Sequence, residues 1–404
     1  MTALDPFVLA TRQIELDRAR TAAFPELGVR KTERMRASPL AFLRGSAPLF
    51  YEMLANSPEL NSGPSNTGYL VGDAHLENFG AFAPERERGE DTEKLCATFD
   101  LNDFDEAVLG PLRWDVLRLS TSILLGGREL GQPGARVIEL SRLIIDSYAA
   151  TAFEGAELPG RPRVVDELID QSTKRSRIEL LEARTISAGK KRQFQLGPRY
   201  FRLPTSYDEP VRRAFALYVD GLDPALRPKA AQLEIVDFAF RVAGTGSLGA
   251  LRVAVLTTGK GGADGGFVFD MKEQLDPSPA RALLMPPGPR ADVTVAACRA
   301  CLVHPPRLLG SSELDAPDGR KLTLVVRRLT PQEDKLDLAQ LKSAELEPLA
   351  RYLGGLLGRA HRRGASESGA GWSAREKADL LERAVACAGL HEATYLAFCL
   401  LTAP

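Results

Sequence analysis

Gly72-Asp73-Ala74-His75-Leu76-Glu77-Asn78 sets a carboxylate five positions before an amide. Asn102-Asp103-Phe104-Asp105 sets two more carboxylates at the end of the apolar run 97–101. Phosphoryl transfer needs these groups. One carboxylate takes the acceptor hydroxyl's proton, while an amide oxygen and a second carboxylate hold magnesium on nucleotide phosphates. On this reading Asp73 is the base, Asn78 and Asp103 are the magnesium ligands, and Asp105 assists. Asp100, Asp103, Asp105 and Glu106 crowd four carboxylates into seven residues. Such a group repels itself unless a cation sits within it. The flanking Phe99, Leu101, Phe104, Val108 and Leu109 are too apolar for a solvated loop tip. A strand over this motif would point Asp103 and Asp105 the same way. Asp115, beside Trp114, reads as a buried N-cap that braces the first loop.

A third motif lies far along the chain. Gly244-Thr245-Gly246-Ser247-Leu248-Gly249 follows a strand-like run and precedes another, Leu251 to Thr257. A dinucleotide fold needs a helix after such a turn. A turn between strands suits a glycine flap, where Gly244, Gly246, Ser247 and Gly249 let the backbone approach phosphate oxygens. Lys272 closes the next strand, where a lysine contacts the α and β phosphates.

The elements that must position these groups divide by texture. Residues 1–60 read as broken helices, with Pro39 at a helix start. Short strands at 69–71 and 97–101 feed the acidic motifs. Apolar helical spacing marks 115–126, 135–153 and 164–188. From about 233 the pattern becomes strands, at 233–243, 251–257, 267–272, 307–309 and 322–329, with one helix near 292–302. Helices return at 344–363 and 373–401.

A length of 404 residues predicts two or three packed units. Net charge −1 argues against a nucleic-acid partner. No run approaching the ~20 apolar residues of a membrane span is evident, and residues 1–20 do not read as a signal peptide. Five cysteines make no disulfide framework, which points to a reducing cytoplasm. Cys298 and Cys301, a C-x-x-C with His304 nearby, read as buried helix cysteines rather than a zinc site. The basic run from Lys174 to Arg199 reads as a solvated face. Lys31, Arg34 and Arg44 are candidates to reach the cleft, and His361 reads as a packed helix histidine.

The loop 72–78 resembles the G-D-x-H-x-x-N loop of aminoglycoside and choline kinases. Residues 102–107, with Gly110-Pro111 and Trp114-Asp115, resemble their second acidic segment. Over about 30–363 the chain more closely resembles the bacterial family named domain of unknown function 2252. The shared hallmarks are Ser38 to Gly45, Gly72 to Gly80, Phe99 to Asp115 and Ala360-His361. The resemblance implies an α+β, protein-kinase-like bilobal fold: a small antiparallel-sheet lobe and a large, mainly helical lobe. The order of parts is permuted, because the acids come first and the flap late. Residues 1–230 would form the large lobe with both acidic motifs, 231–332 the nucleotide-binding lobe, and 333–404 the helices completing the large lobe. Kinases pair the lysine with a Glu on the small-lobe helix. The helix from Val293 to Leu302 has none, and Asp292 and Glu273 are the nearest acids in sequence.

The expected function is transfer of phosphate from ATP, with Mg2+, to a hydroxyl of a small molecule. The alternatives are nucleotidyl transfer in the same cleft and a catalytically inactive nucleotide-binding module.

Overall fold

Prolines and small polar side chains start the first helices. Asp5 caps α1 (Pro6–Arg20), and Pro25 opens α2 (Pro25–Arg36). Ser38 accepts from the Ala41 amide at 3.0 Å and starts α3 (Pro39–Gly45). A break at Ser46 separates α3 from α4 (Ala47–Ala55), and the single turn α5 (Pro58–Asn61) follows. The computed structural model describes residues 4–85, 96–189, 191–246, 248–262, 264–286, 288–366 and 369–403.

Four short strands carry the acidic motifs: β1 (Thr67–Leu70), β2 (Phe79–Phe82), β3 (Thr98–Leu101) and β4 (Val108–Pro111). The loop 72–78 joins β1 to β2, and the turn 102–107 joins β3 to β4. β1 pairs with β4 and β2 with β3, all antiparallel, which brings loop and turn side by side. Asp103 and Asp105 therefore sit in a turn, not on the expected strand. Next come α6 (Arg113–Gly126), α7 (Gly134–Phe153), α8 (Arg163–Lys174) and α9 (Arg177–Glu182). The single helix expected over 164–188 is broken. Arg175 is extended, Ser176 starts α9 in a capping box with Glu179, and a strand follows.

That strand, β5 (Thr185–Ala188), forms a hairpin with β6 (Lys191–Phe194). Then come β7 (Tyr200–Phe201), α10 (Asp208–Gly221), β8 (Ile235–Arg241), β9 (Arg252–Thr257) and β10 (Phe267–Glu273). After the short α11 (Pro279–Ala282) and α12 (Ala291–Cys301) come β11 (Gly310–Asp315) and β12 (Lys321–Leu329). The strand expected at 307–309 starts instead at Gly310, because Leu308 has a positive φ of 51°. Six strands form one antiparallel sheet in the order β11-β12-β10-β9-β8-β7. β7 and α10 join this unit from before residue 230. The last elements are β13 (Asp334–Lys335), which pairs with β2, and two long helices, α13 (Ser343–Gly364) and α14 (Ala374–Leu401).

The fold is thus α+β, about half helical, with small antiparallel sheets. Strand alternation divides the six-stranded sheet. Phe269 and Met271 pack with Phe215 and Tyr218 of α10 in one core. Val268 packs with Ala254, Leu181 and Tyr200 in another. Asp270 and Lys272 alternate onto the Val268 side. The largest core joins α6, α7 and α13 to the four short strands. Among the described residues, α14 is the one helix long and apolar enough to cross a membrane; its most apolar 18-residue stretch has a mean hydropathy of 1.5. A third of that stretch is buried, and the helix packs on α1, α6 and α7.

Candidate functional site

The loop carrying Asp73 is fixed by its backbone. Asp115, fully buried, accepts from the Val71 amide at 2.6 Å and the Gly72 amide at 3.0 Å. It lies inside the first turn of α6 and not at its N-cap, so the expected brace exists by a different geometry. His361 Nε2 lies 3.0 Å from Asp115, and its Nδ1 lies 2.9 Å from the Tyr148 hydroxyl. A carboxylate only accepts, so the proton is assigned to Nε2. His361 is thus packed as expected, and it also orients the brace. Tyr51 donates to the Gly72 carbonyl at 2.7 Å. Gly72 has φ 81°, and a Cβ there would meet the Glu106 carbonyl oxygen at 2.0 Å, so only glycine lets loop and turn touch.

Asp73 has a partner that the motif reading missed. Arg118, on α6 and with no side-chain exposure, donates from Nε to Asp73 Oδ1 at 2.8 Å and from Nη2 to the same oxygen. Nη2 also donates to the Leu43 carbonyl at 3.0 Å, and the guanidinium lies 5.0 Å from the Phe50 ring centre. The available signal was an arginine inside the apolar run Trp114 to Leu119. Asp73 Oδ2 lies 3.6 Å from the His75 Nε2. Burial pushes the Asp73 carboxyl up to about 7; Arg118 opposes the rise and Glu106 adds to it. Burial, with Arg44 and Arg118 nearby, holds His75 well below its usual value, so it is neutral.

Asn78 links the two acidic segments. Its Nδ2 donates to the Asp73 carbonyl at 3.1 Å and the Asp103 carbonyl at 3.0 Å. Those bonds fix the amide's orientation and leave Oδ1 buried without a partner among the described residues. Asp103 is half exposed. Partial desolvation in the cleft would raise its carboxyl, but Lys272, Lys335, Arg252 and Arg327 together hold it below the usual range.

Lys272 finds its acids in this turn and not at Glu273 or Asp292. Its Nζ contacts Asp105 and lies 4.0 Å from Asp103 Oδ2. Glu273 is occupied by the Leu251 amide at 2.5 Å. α12 contributes Thr294, whose hydroxyl donates to Gln274 at 2.9 Å; Gln274 in turn donates to Asp105 at 3.2 Å. Two residues before Lys272, Asp270 is gripped by Arg252 and by Arg241 at 2.7 Å, which hold its carboxyl far below its ordinary value against the effect of burial.

The glycine turn connects β8 to β9, as its flanking strands suggested. Arg34 donates to the Gly244 carbonyl at 2.5 Å, and buried Lys31 reaches the Gly246 carbonyl at 3.4 Å and Asp17 at 2.6 Å. Gly249 has φ 100°, and a Cβ would meet the Arg20 carbonyl oxygen at 2.2 Å, so this glycine seats the turn on the end of α1. Ser247 lies outside the described residues.

One cleft collects these groups. Asp73, His75, Asp103, Asp105, Gly244, Gly246 and Lys272 line it, with Arg20, Arg44, Glu106, Arg252 and Lys335. Gly249 and Asn78 lie outside this lining. The cleft encloses about 130 Å³, well below the ~300 Å³ at which ligand pockets begin. Among the described residues, no three His, Cys, Asp or Glu side chains form a metal-binding group. A magnesium ion carried on phosphates needs only one or two protein carboxylates. Asp103, Asp105 and the unpartnered Asn78 oxygen fit that smaller requirement. Cys298 and Cys301 are buried on α12, and burial pushes the Cys301 thiol up to about 12, so neither offers a thiolate.

A family model described as "Uncharacterized protein conserved in bacteria (DUF2252)" matches residues 23–401. The chain belongs to that family. No curated protein and no solved structure matches it.

Proposed function

We propose that this protein is a magnesium-dependent phosphotransferase that moves the γ-phosphoryl group of ATP to a hydroxyl of a small molecule, on a permuted kinase-like fold. The observation that carries the reading is the shared cleft. Residues 73, 103 and 105 meet residues 244, 246 and 272 across more than a hundred positions of chain. The strand–glycine turn–strand arrangement and the lysine on the next strand support the kinase version of the glycine motif.

In the proposed step the acceptor oxygen bonds to the γ-phosphorus as the bond to the β–γ bridging oxygen breaks. The electron pair leaves with ADP, and the hydroxyl proton passes to Asp73 Oδ2. Arg118 holds Oδ1, which leaves Oδ2 as the accepting atom. Magnesium, when bound on the phosphates, would neutralise charge between them; Asn78 Oδ1, Asp103 and Asp105 are the groups to hold it. Lys272 would exchange its contact with Asp105 for the α and β phosphates. That exchange, with some parting of the walls, supplies the room that 130 Å³ lacks.

The test is product analysis after incubation with magnesium and ATP, where slow transfer to water replaces the acceptor. ADP and phosphate are expected. AMP and pyrophosphate would move the assignment to nucleotidyl transfer. No turnover together with nucleotide- and magnesium-dependent stabilisation would indicate an inactive binding module. Neither turnover nor stabilisation would remove the proposal.

A further inference from the structure

We infer that the acceptor is anionic: a hydroxylated small molecule bearing a phosphate or carboxylate group, held by Arg44 and Lys335 beside Asp73. The inference rests on the phosphotransfer reading and names its substrate class. The relevant cations lie on the wall that carries the base. Arg44 lies in the last turn of α3, and Lys335 lies on β13, paired across from Gly80 just after the catalytic loop. Glu77, inside that loop, positions both. Its carboxylate meets Arg44 at 2.7 Å, and its carbonyl accepts from Lys335 at 2.8 Å. The two cations are thereby fixed on either side of the loop, and both line the cleft with Asp73.

Their charge is not used up by this arrangement. Glu77 supplies one carboxylate for two cations, and Asp103 and Asp73 are the other acids that face Lys335. Arg44 also has a buried Nε without a partner among the described residues. Lys335 and Arg20 form no salt bridge among the described residues, and Arg20 lines the same cleft. The nucleotide phosphates have a separate cation on the sheet wall, Lys272, while Arg252 there is paired with Asp270. A cationic acceptor of the aminoglycoside or choline kind would meet like charge at Arg44 and Lys335, the two side chains fixed beside the loop. An acceptor anion would gain charge-assisted hydrogen bonds and would be held close to the base.

Titration calorimetry with inorganic phosphate as the probe tests this, using free protein and protein saturated with magnesium and a non-hydrolysable ATP analogue. Phosphate is expected to bind in both states, about tenfold more weakly in Arg44→Gln and in Lys335→Gln. Choline is expected not to bind. Two results overturn the inference. One is loss of phosphate binding once the analogue saturates the protein, which would give these cations to the triphosphate. The other is unchanged phosphate affinity in Lys335→Gln, whose exposed side chain can be replaced without harm to the fold even if Arg44→Gln is unstable. An analogue that never binds is a distinct result: it sinks the phosphotransfer reading and the acceptor assignment with it.

Discussion

Replacing Asp73 by alanine should damage the fold as well as any chemistry. Arg118 has no exposed side-chain surface, and among the described residues its Nε has no acceptor other than Asp73. Without the carboxylate, its charge keeps one backbone carbonyl, that of Leu43, and one aromatic face, that of Phe50. Removing one partner of a buried ion pair costs about 3–5 kcal/mol. Asp73 is a quarter exposed, so water already screens part of the pair and the lower end, about 3 kcal/mol, is expected. Arg118→Met in the same background removes the stranded charge, and the double variant should recover most of the loss. Urea unfolding, followed by the fluorescence of Trp114 and Trp372, measures both. A loss below about 1 kcal/mol in Asp73→Ala, or a double variant no more stable than it, would refute the ion-pair argument. The same reasoning makes Asp73→Asn the better probe of chemistry, since it keeps an oxygen for Arg118. Its turnover should fall ~10²–10⁴-fold with nucleotide binding kept.

Other consequences are separable. With the Asp73 carboxyl pushed up to about 7, kcat/KM should fall as pH drops through that value, because the base becomes protonated; a profile flat from pH 8 to 6 would contradict this. His391 is fully buried, its Nδ1 lacks a partner among the described residues, and burial holds its pKa down at about 3. Below its unfolded pKa of ~6.5 the unfolded chain binds a proton that the native state does not, so this group's contribution falls by about 1.4 kcal/mol per pH unit as pH drops toward 3. Urea midpoints of His391→Gln should show a shallower acid dependence, and an identical slope would exclude His391 as the cause. Gly249→Val should displace the glycine turn from α1 and weaken ATP binding, since a Cβ at that φ meets the Arg20 carbonyl. Unchanged affinity, measured by calorimetry, would mean that the seat does not matter.

The acidic motifs were readable because they are local. The loop 72–78 needs one short strand before it, and the apolar residues around Asp103 already say that the turn is packed. The glycine turn was readable from its flanking strands, since β-branched runs on both sides leave no helix to follow. What the sequence hid is set by distant packing. Nothing near residue 73 names Arg118, 45 positions away. Only the fold reveals that α1 and α2 hold the glycine turn through Arg20, Lys31 and Arg34. The acid of Lys272 was sought on α12 by analogy with kinases, yet it comes from the turn at 103–105. β11 was misplaced because Gly310-Ser311-Ser312-Glu313-Leu314-Asp315 has no β-branched or aromatic residue; its partner β12 and α10 make it a strand. The helix expected over 164–188 failed because Ser176 and Glu179 form a capping box that starts a new helix within it, a local signal that apolar spacing does not register.

The central claim is that an early pair of acidic segments and a late glycine turn with its lysine form one nucleotide site. Calorimetric titration of ATP into wild type, Lys272→Met and Asp103→Asn, each with and without magnesium, tests it most directly. Saturable binding that requires magnesium in wild type, weakened by Lys272→Met and stripped of its magnesium dependence by Asp103→Asn, is the predicted result. ATP binding unaffected by either substitution, or no binding in any condition, would contradict it.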